Sequence, residues 1–204
     1  MWVRVGCLAI GYLFGLFQTS YIYGKAHGID IRNYGSGNAG TTNTLRTLGK
    51  PAGYIVFLGD ALKAVFAVWI VRYLLFPGLG DVTKILETVT ALGVVLGHNY
   101  PFYMHFKGGK GIAATGGFMF ALDVRIALIA AIVFAVVFFT TRYVSVGSLT
   151  ITALFPILML IFYPGQWVVF GLSLIFTALA WWRHRANIKR LMNGTENKFE
   201  KKKR

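Results

Sequence analysis

Apolar residues fall in long unbroken runs along this chain, divided by short polar segments. The runs occupy residues 2–23, 52–76, 85–104, 112–122, 126–141, 144–163 and 167–182. A helix needs about 20 apolar residues to cross the hydrocarbon layer of a bilayer. Barrel strands would instead alternate over about 10 residues. The pattern therefore predicts an all-α integral membrane protein with about seven transmembrane helices. Run 112–122 is short. It crosses if its first turns begin in the Gly/Lys segment before it, and otherwise lies tilted or re-entrant. No repeat or soluble segment interrupts the series, so residues 1–204 are expected to form a single transmembrane domain. Run 2–23 lacks a small-residue cleavage site followed by a soluble domain, and is expected to stay as an uncleaved span.

A few charges interrupt the apolar runs. Asp60 and Lys63 lie three apart in the second run. Charges inside a membrane are costly, so the pair is either a proton or ion path or a structural link along one helix face. Glu87 is expected at the membrane interface, near the outer end of the third run.

Composition agrees with the pattern. Hydrophobic residues make up 56% of the chain and charged residues 14%, against roughly 25% charged in soluble domains. The net charge is +14. In a soluble protein that excess would suggest nucleic acid. Here the basic residues lie between and after apolar runs, so no nucleic-acid partner is expected. Anionic membrane lipids and phosphorylated substrates fit better. The single cysteine, Cys7, excludes an intrachain disulfide and makes a thiol metal cluster improbable. The histidines do not fall at ligand spacing with carboxylates, so no metal is expected.

The basic residues also give an orientation. With seven crossings, the polar stretch 25–51, the segment 106–111, Arg142 and the tail with Lys201, Lys202, Lys203 and Arg204 share one side. The other side holds only Arg4, Arg72, Lys84 and Arg125. The positive-inside rule then places the N-terminus outside and the C-terminus in the cytoplasm. The sequon Asn193-Gly194-Thr195 would be cytoplasmic and unmodified.

Three polar segments on the basic side carry the candidate chemistry. The first is Gly35-Ser36-Gly37-Asn38-Ala39-Gly40-Thr41-Thr42-Asn43-Thr44-Leu45-Arg46. Its glycines let backbone N–H groups turn towards an anion, and Arg46 can grip phosphate bidentately. A flexible Gly/Ser/Thr/Asn loop is the competing interpretation. The second is Gly97-His98-Asn99-Tyr100-Pro101, followed by Phe106-Lys107-Gly108-Gly109-Lys110-Gly111. Lysines among glycines suggest phosphate binding by charge and bare backbone. It is not a Walker A loop: Met104 stands where its first glycine belongs, and Gly111 where Ser or Thr follows the lysine. His98 could be a base, a phosphate donor or a structural hydrogen-bonding residue. The third is Arg183-His184-Arg185-Ala186-Asn187-Ile188-Lys189-Arg190-Leu191, a helix leaving the membrane with His184 and Asn187 on one face. Alone, it could equally be a basic helix resting on anionic lipid.

The stretches GSGNAGTTNTLR, GHNYPFYMHFKGGKG and RHRANIKRLMNGTE together resemble the three signature motifs of the bacterial acyl-phosphate:glycerol-3-phosphate acyltransferases of the PlsY type. The resemblance covers nearly the whole chain. It implies a compact seven-helix enzyme of the bacterial inner membrane with its active site facing the cytoplasm. It also implies transfer of a fatty acyl group from acyl phosphate to the 1-hydroxyl of glycerol 3-phosphate, the first step of phospholipid synthesis. By motif position, Ser36, Arg46, Lys110, His184 and Asn187 would form the glycerol 3-phosphate site. Asn38, Gly40, Thr42, Asn43, Gly108, Gly109 and Ser148 would surround the acyl phosphate head. Thr41, Ala114 and His105 depart from the usual motif residues, and none of them removes a charge that the chemistry needs.

No cofactor is expected, and the enzyme is expected to act as a monomer. No Ser-His-Asp set is apparent, and no histidine has an aspartate five residues on. Direct transfer without an acyl-enzyme is therefore the expected chemistry. A transporter would be expected to show paired halves, which are missing, and a lipid-binding scaffold leaves the first two motifs unexplained.

Overall fold

The computed structural model describes residues 1–199; Lys201, Lys202, Lys203 and Arg204, which contribute to the charge asymmetry, lie outside the described residues. Among the described residues every regular element is helical. The chain forms two compact units, Met1–Val124 and Arg125–Arg204.

The first unit holds six α-helices. The run 2–23 does not make one helix. It gives α1 (Trp2–Gly15) and α2 (Thr19–Ala26), with a break around Gln18. Gln18 is buried there, and its Nε2 donates to the carbonyls of Gly15, Gly97 and His98 at 3.0, 3.2 and 3.0 Å. Its two N–H donors, shared among these carbonyls, cover Gly15 at the break and tie the break to a second stretch of helix at Gly97 and His98. Next, α3 (Thr41–Leu48) begins within the first motif, and α4 (Lys50–Trp69) has a proline in its first turn. The backbone then widens into a π-helical turn, Ile70–Leu75, and stops just before Pro77.

The third run forms α5 (Asp81–Asn99), which starts and ends earlier than residues 85–104. Its end is set by Pro101, which disfavours helical geometry at Tyr100 (φ −134°, ψ 57°). Then α6 (Ile112–Leu122) follows the Gly/Lys segment with the length its apolar run predicts. Packing explains the small residues of α1 and α5. Gly11 and Gly15 abut the backbone of Thr90 and Val94, while Gly93 and Gly97 abut Leu8 and Tyr12. A Cβ at any of the four would collide with the facing helix, so the two backbones meet without intervening side chains.

The second unit contains α7 (Val124–Thr141), α8 (Val144–Phe162), α9 (Trp167–Arg183) and α10 (Arg185–Met192), with α8 packed on α9. Among the described residues, four segments are long and apolar enough to cross a membrane: Trp2–Ala26, Lys50–Leu75, Val124–Thr141 and Val144–Phe162. Along α7, Leu128, Ile132, Val136 and Phe139 form an exposed apolar face, as lipid contact requires. Ile112–Leu122 and Trp167–Arg183 are shorter apolar helices.

The interruptions by charge resolve into pairs. Lys63 Nζ lies 2.8 Å from Asp60 Oδ1, both buried, so these charges form the structural link. Glu87 has a partner within the unit. It is buried, and both carboxylate oxygens accept from Arg72 at 2.6 Å. The guanidinium fork matches the carboxylate and explains why a charge sits inside the unit.

Candidate active site

In the first unit, two of the three polar segments come together. Arg32 is pinned by Asp30, with Nη2 to Oδ2 at 2.7 Å, and its Nη1 reaches the Met104 carbonyl at 3.2 Å. Ile31, Ala39 and Met104 form a small buried apolar cluster under both loops. A Cβ built on Gly109 would sit 2.7 Å from the Ala39 carbonyl oxygen. The first motif loop and the Gly/Lys loop are therefore in direct backbone contact. The Arg32 guanidinium hydrogen-bonds Asp30 and holds its carboxyl below the ordinary carboxylate range.

The first loop is built around Asn43, which is buried. Its Oδ1 accepts the Ser36 N–H at 2.9 Å, and its Nδ2 donates to the carbonyls of Ile31 and Tyr34 at 3.0 Å each. Gly35 and Gly37 take positive φ (57° and 70°) to make this turn, a region that costs a residue with a Cβ. Ser36 and Arg46 are exposed, Asn38 and Thr42 are half-buried, and Gly40 is buried. Lys110 is half-buried, while Gly108 and Gly109 are buried.

The glycine N–H groups are used differently from the sequence expectation. Gly37 donates to Tyr34, Gly40 to Asn38, Gly108 to Asn99 and Gly109 to His98. These N–H groups satisfy loop and helix-end carbonyls and do not splay towards an anion. Glycine is needed at 108 and 109 for a different reason. A Cβ there would strike the His98 carbonyl or the His98 imidazole. Both loops lead instead into helix N-termini. The first runs into the N-terminus of α3 at Thr41, the second into that of α6 at Ile112. First-turn N–H groups have no intrahelical acceptor and favour bound anions.

The second unit holds Ser148 and the third motif. Ser148 is buried, and its Oγ donates to the Val144 carbonyl at 2.8 Å. His184 is buried at the junction of α9 and α10, with Nδ1 2.8 Å from the Ala180 carbonyl. A carbonyl only accepts, so Nδ1 carries a proton. Asn187 Nδ2 donates to Glu196 Oε1 at 2.6 Å. The same oxygen accepts from Ser145 Oγ at 3.0 Å, and Oε2 accepts from Arg190 Nε at 2.7 Å. Burial raises the Glu196 carboxyl, but the three hydrogen bonds from Asn187, Arg190 and Ser145 outweigh it and leave it below its usual value.

Three residues with clear parts in this arrangement lacked a sequence signal strong enough to single them out. Gln18 is a lone amide inside an apolar run, and a polar residue there needs a partner. Arg32 counted only as a positive charge. Glu196 counted only as the end of the third motif. Among the described residues no group of His, Cys, Asp or Glu is arranged to hold a metal ion.

Known proteins match over nearly the entire chain. The family model described as Glycerol-3-phosphate acyltransferase matches residues 5–194. A glycerol-3-phosphate acyltransferase of Clostridioides difficile (strain 630) is 45% identical over 195 residues, spanning 95% of this chain and 94% of the relative. One from Thermoanaerobacter sp. (strain X514) is 44% identical over 194 residues, with the same coverage of both. The crystal structure of PlsY (YgiH), an integral membrane glycerol 3-phosphate acyltransferase, in its glycerol 3-phosphate form superposes with a TM-score of 0.88 at 36% identity. That match covers 97% of this chain and 96% of the other. The lysophosphatidic acid form of the same enzyme gives 0.85 at 35% identity, covering 97% and 95%.

Proposed function

The chain belongs to the glycerol-3-phosphate acyltransferase family and is an integral membrane acyltransferase of phospholipid synthesis, and on that premise we propose that its acyl donor is acyl phosphate and that transfer to glycerol 3-phosphate is direct. The observation that carries this is the backbone contact of Ala39 with Gly109. It joins two loops, each entering a helix N-terminus, with Arg46 and Lys110 on the segments concerned. Two phosphorylated molecules repel each other, and paired helix termini with two cations offset that repulsion.

In the proposed reaction the 1-hydroxyl oxygen of glycerol 3-phosphate attacks the acyl carbonyl. The bond from carbonyl carbon to phosphate oxygen breaks, and the departing phosphate takes the hydroxyl proton. The products are lysophosphatidic acid and phosphate. Acyl phosphate is an activated mixed anhydride, so no nucleophilic side chain is required. Ser36, Arg46, Lys110, His184 and Asn187 serve glycerol 3-phosphate. Asn38, Thr42 and Ser148 serve the acyl phosphate head. Gly40, Asn43, Gly108 and Gly109 shape the loops that receive it, since their N–H or amide groups are already hydrogen-bonded within the protein. Positioning two bound reactants contributes about 7–11 kcal/mol at best. Each donor aimed at the developing oxyanion adds about 3–4 kcal/mol.

With about seven crossings, charge asymmetry favours the N-terminus outside, the C-terminus in the cytoplasm of a bacterial inner membrane, and the motifs on the cytoplasmic face. A cytoplasmic N-terminal tag would overturn that orientation. The donor is tested by supplying membranes that carry this protein with glycerol 3-phosphate and one donor at a time. Lysophosphatidic acid should form from acyl phosphate without acyl-CoA, acyl carrier protein or divalent metal. Strict dependence on acyl-CoA would remove acyl phosphate as donor.

A further inference from the structure

Beneath the Gly/Lys loop lies a buried polar network that the proposed reaction does not use. Lys63 Nζ contacts three acceptors: the Phe17 carbonyl at 2.7 Å, Asp60 Oδ1 at 2.8 Å and His98 Nδ1 at 2.9 Å. Thr19 Oγ1 donates to the same Asp60 oxygen at 3.1 Å. Asp60, Lys63 and His98 are 1%, 5% and 4% exposed, so the network excludes water.

An ammonium has three donors and no acceptor, and here each donor has one partner. With Lys63 as the ammonium paired to Asp60, His98 Nδ1 accepts, which places the ring proton on Nε2. Nε2 is the edge that meets the loop, because a Cβ on Gly109 would overlap it. The Gly109 N–H also donates to the His98 carbonyl at 3.0 Å. His98 thus holds Gly109 from two sides, and Lys110 is the next residue.

We infer that His98 is a positioning residue for glycerol 3-phosphate: Lys63 and Asp60 fix its ring, and its Nε2 edge sets Gly109 and so the place of Lys110. This rests on the proposed phosphate-binding role of Lys110. An ion or proton path is not needed to explain the pair, because every donor of Lys63 has a protein acceptor.

The competing role, a simple fold staple, makes different demands on substitution. In His98→Asn an amide can replace Nδ1 as the acceptor for Lys63, but nothing reaches Gly109. In His98→Gln an amide nitrogen can replace Nε2, but Lys63 loses its acceptor. The full-length variants are purified, and KM for glycerol 3-phosphate is measured with whichever acyl donor the wild type uses, alongside the melting temperature. His98→Asn should keep the wild-type melting temperature and raise KM about tenfold or more. His98→Gln should melt earlier and raise KM clearly less than His98→Asn does. Any other pattern overturns the inference, including an Asn variant that does not fold or a KM that tracks melting. Lys110→Ala separates the two claims. If it leaves KM unchanged, the role given to Lys110 fails. If it raises KM and His98→Asn does not, only the positioning role fails.

Discussion

Asn43 and Ser36 are joined by a 2.9 Å hydrogen bond from the Ser36 backbone N–H to the Asn43 side-chain oxygen. The Asn43 amide nitrogen ties the same turn to Ile31 and Tyr34. Asn43→Asp keeps the acceptor and loses both donations, leaving a buried carboxylate against two carbonyl oxygens. Leaving buried groups unsatisfied costs about 1–3 kcal/mol each. Activity of Asn43→Asp should fall at least about tenfold with the protein still in the membrane. Ser36→Ala removes one hydroxyl from an intact turn and should weaken turnover less. Intact mass spectrometry after exposure to acyl phosphate should find no acyl adduct in the wild type or in Ser36→Ala.

Arg46 and Lys110 are assigned as clamps on phosphate charge. Arg46→Lys keeps the charge but loses the planar fork that binds two oxygens at once. Its turnover should drop by about one order of magnitude or more. Lys110→Ala should cost about two orders or more, because phosphate charge near the reacting carbonyl is left uncompensated. Steady-state assays on equal amounts of folded protein measure both. An Arg46→Lys variant with wild-type kcat/KM would show that bidentate binding is not required.

Much of this could be anticipated from residue order. Unbroken apolar runs translate directly into helices because a bilayer offers backbone groups no other partner. The run 112–122 matches α6 at both ends, and the three motif segments fall at helix junctions. What residue order did not carry was partnership across distance. Nothing local to Gln18 announces that it will cap carbonyls of a helix eighty residues away, which breaks the first run into α1 and α2. Nothing local to Glu87 announces that Arg72, fifteen residues upstream, will pair with it. The glycines at 108 and 109 suggested an anion cradle, since sequence does not distinguish a glycine that exposes its N–H from one that makes room for a histidine.

The Arg72–Glu87 pair sits at the opposite ends of α4 and α5 from the motif loops, since the loops precede α4 and follow α5. Arg72→Met should therefore separate stability from catalysis. Removing one partner leaves a buried carboxylate uncompensated, which costs about 3–5 kcal/mol. The melting temperature should fall clearly, while KM for glycerol 3-phosphate in the folded fraction stays within about twofold of wild type. A changed KM would mean that the pair communicates with the motifs.

Glu196 gives a pH signature. Its folded-state carboxyl lies below its usual value, so the folded protein holds the ionised form more tightly than the unfolded chain does. Its contribution to stability is complete above an unfolded carboxylate value of about 4.3 and is lost as pH falls through the lower folded value. Thermal melting of wild type and Glu196→Gln should differ most near neutral pH, and the gap should close as pH drops below about 4. A gap that stays constant down to pH of about 3 would mean that the hydrogen bonds from Asn187, Arg190 and Ser145 do not favour the ionised form.

Phosphate release from acyl phosphate by the purified protein, followed with and without glycerol 3-phosphate, tests donor identity and direct transfer in one measurement. Release should require both substrates, equal lysophosphatidic acid formed, and show no burst when the acceptor is withheld. No release at all, or a stoichiometric burst without acceptor followed by discharge on adding glycerol 3-phosphate, would contradict it.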